Sequence, residues 1–598
     1  MESQKYSVNQ QSISVLLAWV QSGEIAIPEI QRPFVWDATK VRDLMDSLYQ
    51  GFPVGYIISW QNPSVRLKDG SLSKGKKILI DGQQRVTALR AALLGETVLN
   101  KYYENIRIKI AFNPLLENKF EVQTAATLKN KEWIPDISDI MSHNSTLKIV
   151  RQYLADNPEA DEDVVEKAFT SLKDISKKQI GIIDLDSDLD IETVTEIFIR
   201  INSQGVVLSQ ADFAMSKIAS NEIYGGNQLR KAIEYFCHLS VAPEIFAYIK
   251  KNDVSFAHSE YFSKMVWLKD EKEDIYDPSY TDLLRVAFTK EFGRGKFSDL
   301  VSLLSGRNFE TRTFEESIAK ESYAKLTKGV LDFMNETDFK RFIMIIKSAG
   351  FINASMIGSQ NALNFSYVLY LHLRGLKIKP ALIEKYVRKW FVYSVLTNRY
   401  SGSAESIIDY DIKQINNRDF QEYLSEKESG ELSDAFWEFE LVQRLSTSIT
   451  SSSLYHTFLA SQVKENDKGF LSKDISVANL ISYRGDVHHL FPKKYLKGHD
   501  LNRFQYNQIA NYVYMQQEIN IIIGSKSPNI YFKEILVQFV SGSKKYGAIE
   551  NMEELENNMK QHCIPKEIFE MSITHYNDFL KLRRELMAKK IKNYYFSL

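Results

Sequence analysis

Apolar positions recur at two different periods along this chain. Val41, Leu44, Met45 and Leu48 fall at i, i+3, i+4 and i+7, which predicts an amphipathic helix. Residues 55–60 are aromatic and β-branched and predict a strand. The apolar run at 78–80 leads into Asp81-Gly82-Gln83-Gln84-Arg85, after which Val86, Leu89 and Leu93 return to helical spacing. That stretch reads as strand, tight turn and helix. Residues 105–112 and 119–123 alternate as a β-hairpin would, and 181–185 reads as another short strand. Beyond residue 226 strand signals become scarce. Residues 339–347, 362–375 and 381–397 carry helical apolar spacing, and Trp390 with its aromatic neighbours reads as core rather than a base-stacking platform. The pattern predicts three segments: an α+β domain over 1–225, a helical connector over 226–440 and a C-terminal domain over 441–598. There is no internal repeat, and 446–453 is a short Ser/Thr-rich linker.

Charge changes this picture only locally. The chain has 75 Lys and Arg against 76 Asp and Glu, so no global basic excess points to nucleic acid. Two clusters stand out. Arg484, Lys493, Lys494, Lys497 and Arg503 face only Asp486 and Asp500, and Lys581, Arg583, Arg584, Lys589, Lys590 and Lys592 face only Asp578 and Glu585. Such runs are solvated helix faces or phosphate-binding surfaces. The two cysteines, Cys237 and Cys563, exclude a four-thiolate zinc site and argue against a disulfide framework. The N-terminal residues lack a signal-peptide core, and no apolar run approaches the ~18 residues of a membrane span. A cytoplasmic protein with no membrane partner is expected.

The candidate chemistry sits near the C-terminus. Asp486-Val487-His488-His489-Leu490-Phe491-Pro492 is followed by Asn511, Asn520 and Lys526. Phosphodiester hydrolysis needs a base for water and a cation for charge growing on the phosphate. His489 suits the first role and His488 the second, as a metal ligand. Neighbouring strand residues face opposite ways, so a shared site requires the pair to sit at a bend, which Gly485 and Pro492 allow. The series resembles the HNH, or ββα-metal, nucleases. By that resemblance His489 is the general base, Asn511 fixes the connecting loop, His488 and Asn520 hold the metal, and Lys526 is an auxiliary cation near the phosphate. A histidine in place of a carboxylate as first ligand is softer and suits Mn²⁺ or Zn²⁺ better than Mg²⁺.

A second set of motifs lies at the other end. Ile30-Gln31-Arg32-Pro33 with Trp36, together with Asp81-Gly82-Gln83-Gln84-Arg85, resembles the N-terminal half of GmrSD-type, modification-dependent restriction enzymes, whose core is ParB/sulfiredoxin-like. The resemblance implies binding and hydrolysis of a nucleoside triphosphate, with Gln31, Arg32, Asp81, Gly82, Gln83, Gln84 and Arg85 around it. The residues agree as far as they go: a helix N-terminus with Arg85 beside it suits a phosphate, although there is no P-loop. The Arg200-x-Asn202-x-x-Gly205 loop resembles one in the same family. It either approaches the nucleotide or metal, or is an ordinary helix-loop-helix in which Ser209 caps the second helix. Arg399, before the C-terminal domain, is a DNA or phosphate contact or, as we favour, an interdomain tie.

The expectation is therefore an α+β protein with a ParB/sulfiredoxin-like N-terminal domain, a helical middle region and a ββα-metal domain embedded in helices. It would act as a nucleotide-regulated, metal-dependent endonuclease with NTPase activity in bacterial phage defence. Mg²⁺ or Mn²⁺ and a nucleoside triphosphate are the expected cofactors. DNA, modified phage DNA foremost, is the expected partner, and self-association into a homo-oligomer is left open. The alternatives are a nucleotide-controlled DNA-binding switch with a degenerate nuclease domain, or an RNA-directed nuclease toxin.

Overall fold

The computed structural model describes residues 5–26, 36–61, 77–99, 105–117, 119–142, 145–186, 189, 193–194, 197, 210–221, 223–483, 487–542 and 544–598. The chain is α+β and forms two compact units, Met1–Arg230 and Lys231–Leu598. The segments expected as helical connector and C-terminal domain thus lie in one unit.

The first unit is built on a mixed five-stranded sheet in the order β1-β9-β3-β4-β2. Its strands are β1 (Tyr6–Ser12), β2 (Ile25–Ala26), β3 (Tyr56–Gln61), β4 (Lys77–Asp81) and β9 (Gln179–Leu185). β1 pairs antiparallel with β9, β9 parallel with β3, β3 antiparallel with β4, and β4 parallel with β2. Alternation along β3 separates two apolar faces. Ile57 joins the main core with Leu79, Ile180 and Ile182, while Ile58 and Trp60 join a smaller cluster with Leu185 and Val194. Three helices cover the main face: α1 (Ile13–Ser22), α2 (Ala38–Gln50) and α3 (Gln83–Leu93). The predicted stripe Val41, Leu44, Met45 and Leu48 is the buried face of α2. Asp37 caps α2, its side chain accepting from the Lys40 N–H.

Four short strands form two ribbons: β5 (Val98–Leu99) with β6 (Asn105–Ile106), and β7 (Ile110–Phe112) with β8 (Phe120–Val122). The hairpin expected over 105–112 and 119–123 therefore forms only in its second half. Asn105 and Ile106 pair backwards, with the segment after α3.

The second unit is mostly helical. Helices Glu336–Ser348, Gln360–Gly375 and Pro380–Leu396 occupy the regions where the apolar spacing predicts them. Trp390 is fully buried, and its indole N–H donates to Tyr400 Oη at 3.1 Å. Arg399 is an internal group of this unit. Its guanidinium forks onto the buried Asp411 carboxylate at 2.8 and 2.6 Å, and Tyr400 and Tyr423 donate to the same carboxylate. That bidentate pair leaves no free charge for DNA. Within this helical frame lies one small ladder, β10 (Val487–His489) antiparallel to β11 (Tyr512–Tyr514), followed by the helix Gln517–Ile523.

Candidate functional site

The ladder decides where the two histidines point. Its register runs unbroken, Val487 opposite Tyr514, His488 opposite Val513 and His489 opposite Tyr512. The bend expected at the pair is absent, because both residues are held in regular pairing, and alternation sends their side chains to opposite faces. His488 is only 7% exposed. His489 meets its cross-strand partner Tyr512 edge-on, with ring centroids 5.0 Å apart, and faces Tyr506 at 6.5 Å. Its Nε2 lies 3.1 Å from Asn507 Oδ1. Burial lowers the His489 pKa below that of an ordinary imidazole. The Asn507 bond opposes this, and the charge of Lys493 adds to it. The ring is neutral at neutral pH. In the tautomer that donates Nε2–H to Asn507, Nδ1 keeps the lone pair.

Asn511 is completely buried at the start of β11. Its Oδ1 accepts from the Phe491 N–H at 2.8 Å, while Nδ2 donates to the carbonyls of Phe491 at 3.1 Å and Tyr506 at 3.4 Å. One amide thus satisfies backbone groups on both arms of the excursion between the strands. The backbone on either side of Asn511 is held by Arg583, which is fully buried on the C-terminal helix Tyr576–Ser597. Arg583 donates to the carbonyls of Ala510 (2.8 Å), Tyr512 (2.7 Å) and His562 (3.2 Å). Burial lowers its pKa to about 10. Tyr531 closes the other side, donating to the Leu490 carbonyl at 2.9 Å.

Asn520 lies half-buried on the helix Gln517–Ile523. Lys526 follows that helix, and its ammonium donates to Glu534 at 2.7 Å and Tyr546 at 2.5 Å. Lys526 and Tyr546, both donating to Glu534, hold its pKa down to about 2, so the lysine stands paired with a carboxylate. Among the described residues, no three His, Cys, Asp or Glu side chains gather as a metal cage. An ion at His488 and Asn520 would therefore have one imidazole and one amide as described protein donors. That donor set suits a cation that keeps water and a substrate phosphate in its shell. Asp486 lies outside the described residues.

The two basic clusters differ. In the C-terminal one, Arg583 is interior, Lys590 pairs with Glu465 and Asp467, and Lys592 pairs with Asp434. The cluster after β10 stays at the surface.

In the first unit β4 ends at Asp81 and α3 starts at Gln83. Gly82 between them has φ +92°, a conformation that favours glycine, and no side chain caps the helix. Arg85 is turned onto the Tyr56 carbonyl at 2.5 Å. A side chain at Gly55 (φ +86°) would meet its guanidinium at 3.3 Å. Burial lowers the Arg85 pKa, and Asp81 counters part of that. Gln83 donates to the Leu79 carbonyl at 3.3 Å, and Gln84 is half-buried beside it. Gln31, Arg32, Arg200, Asn202, Gly205 and Ser209 lie outside the described residues.

Sequence reasoning missed Asn507 and Arg583 at the histidine ladder, and it missed Asp184 in the first sheet. Lys77, Ser59 and Asn9 converge on the Asp184 carboxylate from three other strands. Burial disfavours that charge, but the three donors together keep its pKa below the ordinary value. None of these residues belongs to a local motif, so no spacing rule could have found them.

Residues 13–219 match the family described as GmrSD restriction endonuclease, N-terminal domain. The chain is also 24% identical, over 95% of its length, to an uncharacterized protein of Methanocaldococcus jannaschii, 96% of which is covered. The segment carrying the Asp81–Arg85 turn is thus similar to a restriction-endonuclease domain, and the whole chain is similar end to end to an archaeal protein.

Proposed function

We propose that this protein is a GmrSD-like, modification-dependent restriction endonuclease, nucleotide-regulated and metal-dependent, that nicks or cuts foreign DNA in phage defence. One observation carries the reading. His489 stands on a strand-excursion-strand-helix unit whose excursion is pinned by the buried Asn511, with Asn520 on the helix. The match of residues 13–219 to a restriction-endonuclease domain supports it independently.

In this mechanism neutral His489 takes the proton from the attacking water on Nδ1, while Asn507 holds Nε2 and fixes the ring. Asn511 keeps the excursion in register, so the base and the strand ends hold their geometry. A divalent cation would neutralise charge developing on the phosphate; Asn520 is the ligand proposed on the following helix, and His488, on the face of β10 away from His489, would reach the same ion only if the strand end turned. In the first unit, the uncapped start of α3 and Arg85 support a triphosphate-binding role for the Asp81–Arg85 turn, and the family resemblance adds Gln31 and Arg32 to it.

A plasmid-nicking assay tests the reading, using modified and unmodified phage DNA with and without nucleoside triphosphate. Wild type should cleave only with a divalent cation, and His489→Ala should be slower by about 10²–10⁴-fold. Binding of DNA without cleavage by wild type would replace the endonuclease with a nucleotide-controlled DNA-binding switch. Faster cleavage of RNA than of DNA would make it an RNA-directed nuclease.

A further inference from the structure

The excursion between β10 and β11 carries Lys493, Lys494, Lys497 and Arg503 against a single carboxylate, Asp500. All four cations are exposed. Among the described residues, no carboxylate forms an ion pair with any of them. They also have a fixed place relative to the candidate base. The ammonium groups of Lys493 and Lys497 each stand 5.6 Å from the centroid of the Tyr506 ring, whose other neighbour is His489.

Between Arg503 and Tyr506 sits Phe504, with 74% of its surface exposed. The fold makes no use of this ring, whose burial would be favourable, and it follows directly on Arg503 in the chain. Nor is it on a loose loop. Asn502 Oδ1 accepts from the Phe504 N–H at 3.0 Å and the Gln505 N–H at 3.2 Å, and Gln505 Oε1 accepts from the Asn502 N–H at 2.9 Å. Tyr576, on the C-terminal helix, donates to the Gln505 carbonyl at 2.9 Å. The ring is therefore presented on a braced turn.

Cations that track a backbone, with an aromatic face among them, are the elements with which proteins hold single nucleic-acid strands. We propose that the turn 493–504 is a DNA-strand clamp: Lys493, Lys494, Lys497 and Arg503 hold phosphates beside the cleavage site, and Phe504 stacks on an unpaired or flipped base. The clamp rests on the endonuclease reading and deepens it by naming the surface that takes the strand. It also implies that the preferred DNA is single-stranded or locally opened at the cleavage site.

The test uses the full chain in chelator, so that nothing is cut, with a fluorescein-labelled 20-nucleotide single strand and its duplex read by anisotropy across a salt series. The combined substitution Lys493→Gln, Lys497→Gln and Arg503→Gln should flatten the slope of log affinity against log salt by about 2, at ~0.7 per lost cation on a single strand. Phe504→Ala should weaken single-strand binding about 5- to 150-fold with little change in slope, and Phe504→Trp should restore it. Wild-type affinity and slope in both variants, together with normal cleavage by wild type, would overturn the clamp and leave the endonuclease standing. No binding and no cleavage by wild type would overturn both. Tighter binding of the same strand as RNA would overturn the assignment to DNA.

Discussion

Asn511→Ala is the sharpest structural test of the site, because the loss can be worked out bond by bond. The substitution removes the acceptor of the buried Phe491 N–H and the donor shared by the Phe491 and Tyr506 carbonyls. An orphaned buried amide costs about 1–3 kcal/mol, and each lost neutral hydrogen bond about 1 kcal/mol. The contact to Tyr506 is long at 3.4 Å and counts for less. The total is roughly 2–5 kcal/mol, a large share of the ~5–15 kcal/mol that holds a typical folded protein together. The assay is native-state hydrogen exchange at the Phe491 amide, with denaturant unfolding of the full chain beside it. Exchange at Phe491 should accelerate about 5- to 150-fold, the equivalent of 1–3 kcal/mol. Asn511→Asp separates the two halves of the amide. Its carboxylate can still accept from Phe491 but cannot donate to the carbonyls, and it buries a charge. It should be worse than alanine at neutral pH. Burial raises the folded-state pKa of the new carboxyl, so the penalty should shrink as pH falls and that group takes up its proton. Unchanged Phe491 protection in Asn511→Ala would refute the claim that this side chain holds the excursion.

Three further outcomes follow from the same structure. Asn520→Ala should raise the divalent-cation concentration needed for half-maximal cleavage, with Mn²⁺ at least as effective as Mg²⁺, and undiminished cutting in excess chelator would refute the metal role. Arg85→Ala should weaken triphosphate binding in calorimetry while leaving the metal requirement of cleavage unchanged, and equal affinity would reduce the Asp81–Arg85 turn to a structural corner. His562 is buried, accepts on Nδ1 from Gln462 Nε2 at 3.3 Å and donates from Nε2 to the Lys468 carbonyl at 2.7 Å; burial lowers its pKa to about 3. Its folded pKa is below the unfolded value of about 6.5, so its contribution is complete above pH 6.5 and lost as pH falls toward 3. The stability difference between wild type and His562→Gln should accordingly move by about 1.4 kcal/mol per pH unit in that window, and a flat difference would contradict the assignment.

The sequence by itself determined the elements whose signal is local. The stripe Val41, Leu44, Met45 and Leu48 became the buried face of α2, and the apolar run ending at Asp81 became β4, Gly82 and α3. The order of His489, Asn511 and Asn520 was legible too, because each lies within or beside a short element with its own pattern. Only the tertiary structure decided what those elements meet. Arg583 and Lys590 read as part of one basic run, yet packing buried the first against backbone carbonyls and paired the second with Glu465 and Asp467. Asn507 reached His489 across 18 positions, and Lys77 reached Asp184 across 107. The half-hairpin at β7 and β8 and the unbent His488-His489 pair were likewise settled by which strand lay alongside. The physical reason is common to all of them. Periodicity records which face of an element avoids water, whereas hydrogen bonds and ion pairs depend on which element arrives opposite, and chain separation alone carries no trace of that.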